Sequence, residues 1–270
     1  MGIVFEKVTY KHDITKKHKS IDNISIEITD NQVCGLIGKS GSGKTTFLEL
    51  VDGLIKPLSG KVLIDDIDVN KEKDIRKNIG FVFQFPEEQF FERTVKKEIE
   101  FALKNYGIKR NRVKDILKIV GLKEEILNKK LDDLSNGERR MVAIASILVY
   151  NPRIILFDEP TIGLDYKNKK KVIQLIKNLK NRYGKTILIV SHDIDLLYQI
   201  SDNLIVLSDG KLILYGDPTS IYNEIDIIDK YDIPVPKILL FERIVRDKKN
   251  IKLMHSNSIN DLIKEVYRNV

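Results

Sequence analysis

Apolar residues follow two different patterns along this chain. Near the start they alternate with polar residues over 3–8 and 24–28, which predicts strands that each bury one face. Over 33–37 and 154–157 the runs are apolar throughout, as in strands of a parallel sheet covered on both faces. Further short strands are predicted at 61–64, 79–83, 186–190, 204–207 and 211–214. The pattern therefore predicts an α/β fold with a small antiparallel sheet first and a mostly parallel sheet after it.

A helical periodicity occupies about 85–150. Apolar residues recur there at helical spacing over three stretches: Val95, Ile99, Ala102 and Leu103; Val113, Ile116, Leu117 and Val120; and 141–150. The spacing predicts a helical insertion inside the α/β core. Beyond residue 227 the pattern predicts two short helices, one after Pro236 and one over 258–266.

Composition narrows the class of protein. The 270 residues are 42% apolar, which suffices for one large α/β domain with an appendage. No run approaches the ~18 apolar residues of a membrane span, and the start MGIVFEKVTY lacks signal-peptide features, so we expect a cytoplasmic protein. The net charge of +7 is spread along the chain among acidic residues, which favours a solvated surface, and no nucleic-acid partner is expected. Cys34, the only cysteine, is predicted to be a small buried hydrophobe.

The sequence GKSGSGKTT at 38–46 is a complete P-loop between a predicted strand and a predicted helix. Its glycines allow the backbone N–H groups to surround phosphate oxygens, and the helix N-terminus adds its positive dipole end. The lysine supplies a charge for the outer phosphates, and the first threonine a hydroxyl ligand for Mg²⁺. The residues predicted to bind a nucleoside triphosphate are therefore Gly38, Lys39, Ser40, Gly41, Ser42, Gly43, Lys44, Thr45 and Thr46.

Two acids, Asp158 and Glu159, follow an apolar strand at the edge where open α/β sheets bind ligands. Asp158 is predicted to hold the magnesium shell, directly or through water. Glu159 is predicted to act as the general base that accepts a proton from an attacking water. A pair of surface acids in a turn before Pro160 is the weaker interpretation.

The sequence LSNGERR at 134–140 has two interpretations. Ser135 and Glu138 fit a helix capping box, which explains the segment without any function. The functional interpretation is that Ser135, the Gly137 amide and the helix dipole face a phosphate.

Six motifs occur in the order found in ABC-type ATPases, and the chain resembles that family: the P-loop, Gln84 after a strand, LSNGE, FDEP, GLD at 163–165 and SHD at 191–193. The resemblance implies an ABC ATPase that uses ATP and Mg²⁺, and whose two domains meet head to tail. It implies that Ser135, Asn136, Gly137 and Glu138 act in trans on the partner's ATP. It also implies a catalytic set of Lys44, Gln84, Glu159 and His192, a metal set of Thr45, Gln84 and Asp158, and communication between the two sites through Asp165.

The signature departs from the family's LSGGQ at two positions, Asn136 and Glu138. Asn tolerates the left-handed backbone, so the turn is expected to survive. The carboxylate of Glu138 repels a triphosphate, and Arg139 and Arg140 are expected to offset it, so this half-site is predicted to be weakened and not abolished. For the adenine, the family places an aromatic residue about twenty-five positions before the P-loop, and Tyr10 and His12 are both candidates for stacking.

Residues 81–95, FVFQFPEEQFFERTV, resemble ATPases of energy-coupling factor (ECF) transporters, which import vitamins and cobalt or nickel. The resemblance divides the chain into an ATPase domain at 1–227 and a helical dimerisation appendage at 228–270. It implies a homodimer or heterodimer with a second ABC ATPase, at the cytoplasmic face of the membrane. It further implies a membrane coupling subunit and a substrate-binding membrane subunit, with the coupling helices docked in a groove lined by Phe85, Gln89, Phe90 and Phe91.

Two other functions are compatible with the P-loop. The first is a soluble ABC ATPase that acts on DNA, on ribosomes or in iron–sulfur assembly. The second is a nucleotide-dependent scaffold without turnover, which the complete set of catalytic residues argues against. The separation of 91 positions from Lys44 to Ser135 leaves no room for the long coiled coil of the DNA-repair type.

Overall fold

Two β-sheets organise the fold in the computed structural model, which describes residues 2–13, 15, 19–108 and 112–249. The strands are β1 (Gly2–Tyr10), β2 (Ile21–Thr29), β3 (Val33–Ile37), β4 (Ser59–Ile64), β5 (Ile67–Asp68), β6 (Ile79–Val82), β7 (Ile154–Asp158), β8 (Thr186–Val190), β9 (Asn203–Ser208) and β10 (Lys211–Gly216). The helices are α1 (Lys44–Asp52), α2 (Val95–Asn105), α3 (Val113–Val120), α4 (Asn136–Leu148), α5 (Tyr166–Tyr183), α6 (Ile194–Ile200), α7 (Pro218–Asn223), α8 (Ile225–Lys230) and α9 (Lys237–Lys249). Short 3₁₀ turns lie at Lys73–Asn78, Pro86–Glu88, Glu124–Asn128 and Leu131–Asp133.

The smaller sheet is antiparallel, with the order β2-β1-β4-β5. Ile24, Ile26 and Ile28 of β2 are buried while the residues between them are more exposed, so the one-sided burial predicted from the alternation is confirmed. The ring of Phe5 stacks on that of Phe47 in α1, with centroids 4.2 Å apart. This contact packs the small sheet against the helix that follows the P-loop.

The larger sheet has the order β10-β9-β3-β8-β7-β6, and all its strands are parallel except β10. Because β8 lies between β3 and β7, the carboxyl ends of these three strands meet at one edge. At that edge Asp158 of β7 lies next to Val190 of β8. The loops that follow β3, β7 and β8 therefore converge, as the position of ligands in open α/β sheets requires.

Alternate side chains of the central strands enter two separate cores. Ile155 and Phe157 pack in the core beneath α4 and α5, which we call the main core. Ile154 and Leu156 pack in a second core, shared with α1 and the small sheet. All five residues of β7 are buried. The two-sided burial predicted from the apolar runs is therefore confirmed.

The segment between β6 and β7 carries α2, α3 and α4, so the predicted helical insertion is confirmed. Its predicted apolar faces are buried, apart from the half-buried Ala102, Ile147 and Tyr150. Helix α4 begins at Asn136, five residues before the apolar stretch at 141–150, because Ser135 caps it.

The C-terminal segment begins inside the main core. The helix predicted after Pro236 is α9, whereas the helix predicted over 258–266 lies outside the described residues. The predicted boundary between 227 and 228 falls within α8, and Ile228, Ile238 and Leu239 pack in the same core as α4 and α5. The division at this boundary stays a prediction.

No helix in the described residues is long and apolar enough to cross a membrane. Cys34 is buried as predicted, and burial raises the pKa of its thiol.

Candidate active site

The P-loop runs from the end of β3 into α1 and can be built only with glycine at certain positions. Gly38 and Gly43 have φ angles of 148° and 103°. A Cβ at Gly38 would lie 2.1 Å from the carbonyl oxygen of Leu207, and one at Gly43 would lie 2.3 Å from that of Ser20. Side chains are therefore excluded by both the dihedral angle and the space, which leaves the backbone N–H groups free to line the loop.

Lys44 is the buried cation of this loop. Its Nζ donates hydrogen bonds of 2.8 Å to the carbonyl oxygens of Gly38 and of Lys39. Burial lowers the pKa of the Lys44 ammonium, and the nearby carboxylates of Glu159 and Asp158 oppose that shift. The amine is thus held within the curve of the loop, where an anionic ligand would compensate its desolvation.

Asp158 joins the second loop to the first, because its Oδ2 accepts a 2.9 Å hydrogen bond from the Thr45 hydroxyl. Burial raises the pKa of Asp158, and this hydrogen bond lowers it. Gln84 lines the same cavity, so a hydroxyl, a carboxylate and an amide are presented together. These hard oxygen donors fit Mg²⁺, which binds one or two carboxylates together with substrate phosphates. Among the described residues there is no group of three or more His, Cys, Asp or Glu side chains that could hold a metal ion.

Glu159 sits in a strained backbone conformation, with φ of 51°. Its Oε1 is buried and has no hydrogen-bond partner among the described residues, although the His192 Nε2 lies 3.6 Å away. Burial raises the pKa of Glu159, and a hydrogen bond from the His192 backbone N–H lowers it. The His192 side chain is 67% exposed, so it stands at the mouth of the site while Glu159 lies inside.

These groups line one cavity of about 350 Å³ at the carboxyl edge of the larger sheet. Its described lining includes most of the predicted catalytic and phosphate-binding residues: His12, Ser40, Gly41, Gly43, Lys44, Thr45, Thr46, Gln84, Asp158, Glu159 and His192. Of the two adenine candidates, the lining includes His12 and not Tyr10. The Nε2 of His12 lies 3.0 Å from the Thr46 Oγ1, and the Tyr10 ring packs edge-on against His12 with centroids 5.1 Å apart.

Two other P-loop residues point elsewhere. The Lys39 Nζ lies 3.1 Å from a carboxylate oxygen of Asp232, in the turn before α9. Ser42 is 3% exposed, and its hydroxyl has no hydrogen-bond partner among the described residues.

The LSNGE segment forms a complete capping box at the start of α4. The Ser135 Oγ accepts from the Glu138 backbone N–H at 3.3 Å, and the Glu138 Oε2 accepts from the Ser135 backbone N–H at 3.0 Å and from its hydroxyl at 2.8 Å. These hydrogen bonds lower the pKa of Glu138. Residues 135–138 are not among those that line the nucleotide cavity. The two parts of the predicted ATP site are therefore separate within one chain.

The predicted offset of Glu138 by Arg139 and Arg140 is wrong. Arg140 turns away and pairs with Glu87, while Arg139 lies 3.9 Å from Asp132. The cations that lower the pKa of Glu138 are instead Lys129 and Lys171, behind the larger effect of its hydrogen bonds from Ser135.

Gly137 lies directly against α5. A Cβ at Gly137 would lie 2.3 Å from the Cγ of Asn168, so any larger residue here would displace the Asn168 side chain. The Asp165 side chain caps α5, and its two oxygens accept from the Asn168 backbone N–H at 2.8 Å and from the Asn168 side chain at 2.9 Å. Asp165 therefore orients the side chain that touches the signature, a contact that sequence analysis missed.

A groove lies beside α2, and three of the four residues predicted to line it do so. Gln89, Phe90 and Phe91 line it, and Phe91 is 76% exposed with its ring 5.2 Å from that of Phe101. Phe90 is half-buried and packs against the main core. The prediction that Phe85 lines the groove is wrong, because its ring lies 5.8 Å from the Arg140 guanidinium carbon on the other side of the turn.

The P-loop, the paired acids at the end of β7 and the capped helix of the insertion together define an ATP-binding cassette. The family described as "ABC transporter" matches residues 21–162, which is more than half of the chain. The energy-coupling factor transporter ATP-binding protein EcfA2 of Clostridium acetobutylicum is 38% identical over 259 residues, covering 92% of this chain and 91% of the relative. The chain therefore belongs to the ABC transporter family and, within it, to the ATP-binding proteins of energy-coupling factor transporters.

Solved structures agree with this assignment. CbiO1 from Clostridium perfringens, part of the ABC transporter complex CbiONQ, is 29% identical with a TM-score of 0.75, covering 92% of this chain and 98% of that one. The ATP-binding cassette MJ0796, solved as a dimer in a post-hydrolysis state with ADP and Pi, is 32% identical with a TM-score of 0.71, covering 80% of this chain and 98% of that one. The predictions of an ABC ATPase fold, of ATPase activity and of the ECF type are confirmed, and the soluble ABC ATPase is set aside.

Proposed function

We propose that this ECF-type ATPase energises the uptake of a vitamin or a transition-metal ion by hydrolysing ATP between two ABC ATPase chains. The observation that carries this proposal is the buried, unpartnered Oε1 of Glu159 in the same cavity as the P-loop lysine. A general base needs a raised pKa and an oxygen that is free to accept a proton, and Glu159 has both.

The residues of the cavity divide the work of hydrolysis. The P-loop amides and Lys44 bind the phosphates, and Glu159 accepts the proton of the attacking water. Thr45, Asp158 and Gln84 would hold Mg²⁺, which supplies positive charge to the phosphate oxygens when bound. His192, 3.6 Å from Glu159, orients that carboxylate and interacts with the terminal phosphate. His12 takes the adenine position, because it lines the cavity and Tyr10 does not.

A second ATPase chain completes the site. Within one chain the signature residues 135–138 do not line the cavity, so Ser135 and the Gly137 amide serve the nucleotide of the partner. The solved cassette MJ0796 is a dimer, which supports this arrangement. The partner is a second copy or a similar ATPase, and Asp165 links the two sites through Asn168.

The membrane partners are an integral coupling subunit and a substrate-binding subunit, with this chain bound peripherally at the cytoplasmic face of the membrane. The groove lined by Gln89, Phe90 and Phe91 offers an apolar surface of the kind in which amphipathic helices dock. The ATPase domain spans 1–227, with its helical subdomain at about 85–150, and the appendage at 228–270 adds to the dimer contact.

The test is the Glu159→Gln variant. It is expected to bind ATP with wild-type affinity, to accumulate as a closed dimer in size-exclusion chromatography with ATP, and to lose about 10²-fold or more of its phosphate release. The control is Glu72→Gln, which neutralises an exposed carboxylate outside the cavity. Undiminished turnover by Glu159→Gln would refute the proposed base.

The cargo is identified separately. A tag on this chain is used to purify the transporter from its native membrane, and mass spectrometry identifies the bound small molecule and metals. Recovery of membrane subunits with a vitamin or a transition metal supports the proposal. Recovery of ribosomes or DNA in their place contradicts it.

A further inference from the structure

Arg140 is the largest fully buried side chain of the described residues, with 1% of its surface exposed. It lies on α4, between the capping box and the apolar residues that pack in the main core. A buried cation is costly unless it is paired and its N–H groups are all satisfied. Its partners therefore indicate why an arginine occupies a core position.

The guanidinium spans two separate segments of the chain. Its Nε and one terminal nitrogen donate to the two carboxylate oxygens of Glu87 at 2.6 and 2.9 Å, which is a bidentate ion pair. The terminal nitrogens also donate to the carbonyl oxygens of Pro160 at 3.0 Å and of Ile162 at 3.2 Å. The Phe85 ring covers one side, 5.8 Å from the guanidinium carbon.

Both segments carry groups of the proposed active site. Glu87 follows Gln84 by three residues, and Phe85 between them has a φ of 52°. Pro160 follows Glu159 directly, and Glu159 has a φ of 51°. Non-glycine residues with positive φ are strained and persist only where the surroundings hold them. The Arg140 hydrogen bonds hold the Pro160 carbonyl directly after Glu159 and the Glu87 side chain two residues after Phe85.

We propose that Arg140 is a positioning residue that fixes Gln84, Glu159 and the start of α4 in one arrangement; this rests on the roles assigned under the proposed function. The fork of the guanidinium is required, because a lysine ammonium can neutralise Glu87 but cannot also reach two carbonyl groups in the same plane. Arg140 does not line the nucleotide cavity, so it acts through these neighbours.

The same ion pair extends this arrangement to the groove. Pro86, which precedes Glu87, lines the groove together with Gln89 and Phe90. The Glu87–Arg140 ion pair therefore connects one wall of the groove to the turn that follows Glu159.

The experiment compares Arg140→Lys and Glu87→Gln in the complex purified through a tag on this chain. The control is Arg153→Lys, since Arg153 also forms a bidentate pair, with Asp65, but at the opposite end of β7. We expect the kcat of both test variants to fall by about tenfold to 10²-fold, as for a displacement of about 1 Å in a catalytic group. The KM for ATP is expected to stay within about threefold of wild type, because the hydrogen-bond partners of Arg140 lie outside the P-loop.

Thermal melting separates a positioning role from a structural one. Arg153→Lys is expected to lower the melting temperature and leave kcat within about twofold of wild type. The double variant Glu87→Gln/Arg140→Lys is expected to be no slower than the slower single variant, because both substitutions disrupt the same ion pair. If Arg140→Lys does not fold, Glu87→Gln alone decides by the same criteria.

Three results overturn the proposal: a folded Arg140→Lys with kcat within about twofold of wild type, a rise in KM that accounts for the whole loss, or an equal loss in Arg153→Lys. Glu159→Gln separates this failure from that of the proposed function. If Glu159→Gln turns over normally, the assigned base is wrong. If Glu159→Gln is inactive and Arg140→Lys is not impaired, only the positioning role fails.

Discussion

The hydroxyl of Thr45 donates a 2.9 Å hydrogen bond to the carboxylate of Asp158, across 113 residues of sequence. This bond links the start of α1 to the end of β7, at the edge where the P-loop and the acid pair meet. A hydroxyl and a carboxylate held together in this way present the oxygens that Mg²⁺ prefers.

Replacing Thr45 with valine keeps the shape of the side chain and removes its hydroxyl. The Mg²⁺ concentration for half-maximal ATPase activity is expected to rise about tenfold or more, because one proposed ligand and the hydrogen bond that orients the other are both lost. A titration of phosphate release against MgCl₂ measures this. Thr45→Ser keeps the hydroxyl and is the control; equal Mg²⁺ dependence in both variants would contradict the metal role.

Glu138→Gln tests the departure of the signature from its family pattern. In the structure the Glu138 carboxylate accepts a 2.8 Å hydrogen bond from the Ser135 hydroxyl, so it competes with a phosphate for that donor. Glutamine removes the charge and weakens this competition, and ATPase activity is expected to be equal to or higher than that of the wild type. A loss greater than about tenfold would count against this interpretation.

Glu138→Ala provides the second arm, because it removes the carboxylate half of the capping box as well as the charge. It is expected to cost about 1 kcal/mol of stability, measured by denaturant unfolding, whereas Glu138→Gln keeps an acceptor oxygen and costs less. A comparison of the two variants separates the loss of the cap from the loss of the charge.

Phe91→Asp tests the groove. Phe91 is 76% exposed, so the substitution is expected to leave the melting temperature and the basal ATPase activity unchanged while membrane subunits no longer co-purify. Tyr183→Asp, at the exposed end of α5, is the control for an added surface charge. Unfolding of Phe91→Asp would favour a core role for this ring, and unimpaired co-purification would contradict the docking role.

Glu159→Gln is also expected to change stability with pH. Because burial raises the pKa of Glu159 above its ordinary value of 4.5, stability is lost as pH rises through the folded-state pKa and the carboxyl group ionises. The nucleotide-free variant lacks this loss. Its melting temperature is expected to exceed that of the wild type at pH 7.5, by about 2–4 °C for each kcal/mol gained in the free energy of unfolding. The two melting temperatures are expected to match near pH 4. A lower melting temperature at pH 7.5 would contradict the burial effect.

Features that depend on neighbours in sequence were predicted well. The P-loop follows from the spacing of its glycines, Lys44 and Thr45 between a strand and a helix, and the capping box from the three-residue spacing of Ser135 and Glu138. The burial of the strands follows from their apolar pattern, because periodicity records which face of an element avoids water. The order of the motifs indicated the family before any contact was known.

Only the tertiary structure decided which distant side chains meet. His12 lines the cavity and Tyr10 does not, although the two are separated by a single residue near the end of β1. Arg140 pairs with Glu87, 53 residues away, instead of offsetting the nearby Glu138. Sequence spacing constrains partners within a turn or a strand, whereas the partner of a buried charge depends on how strands and helices pack. An arginine in an apolar helix was the available signal that such a partner had to exist.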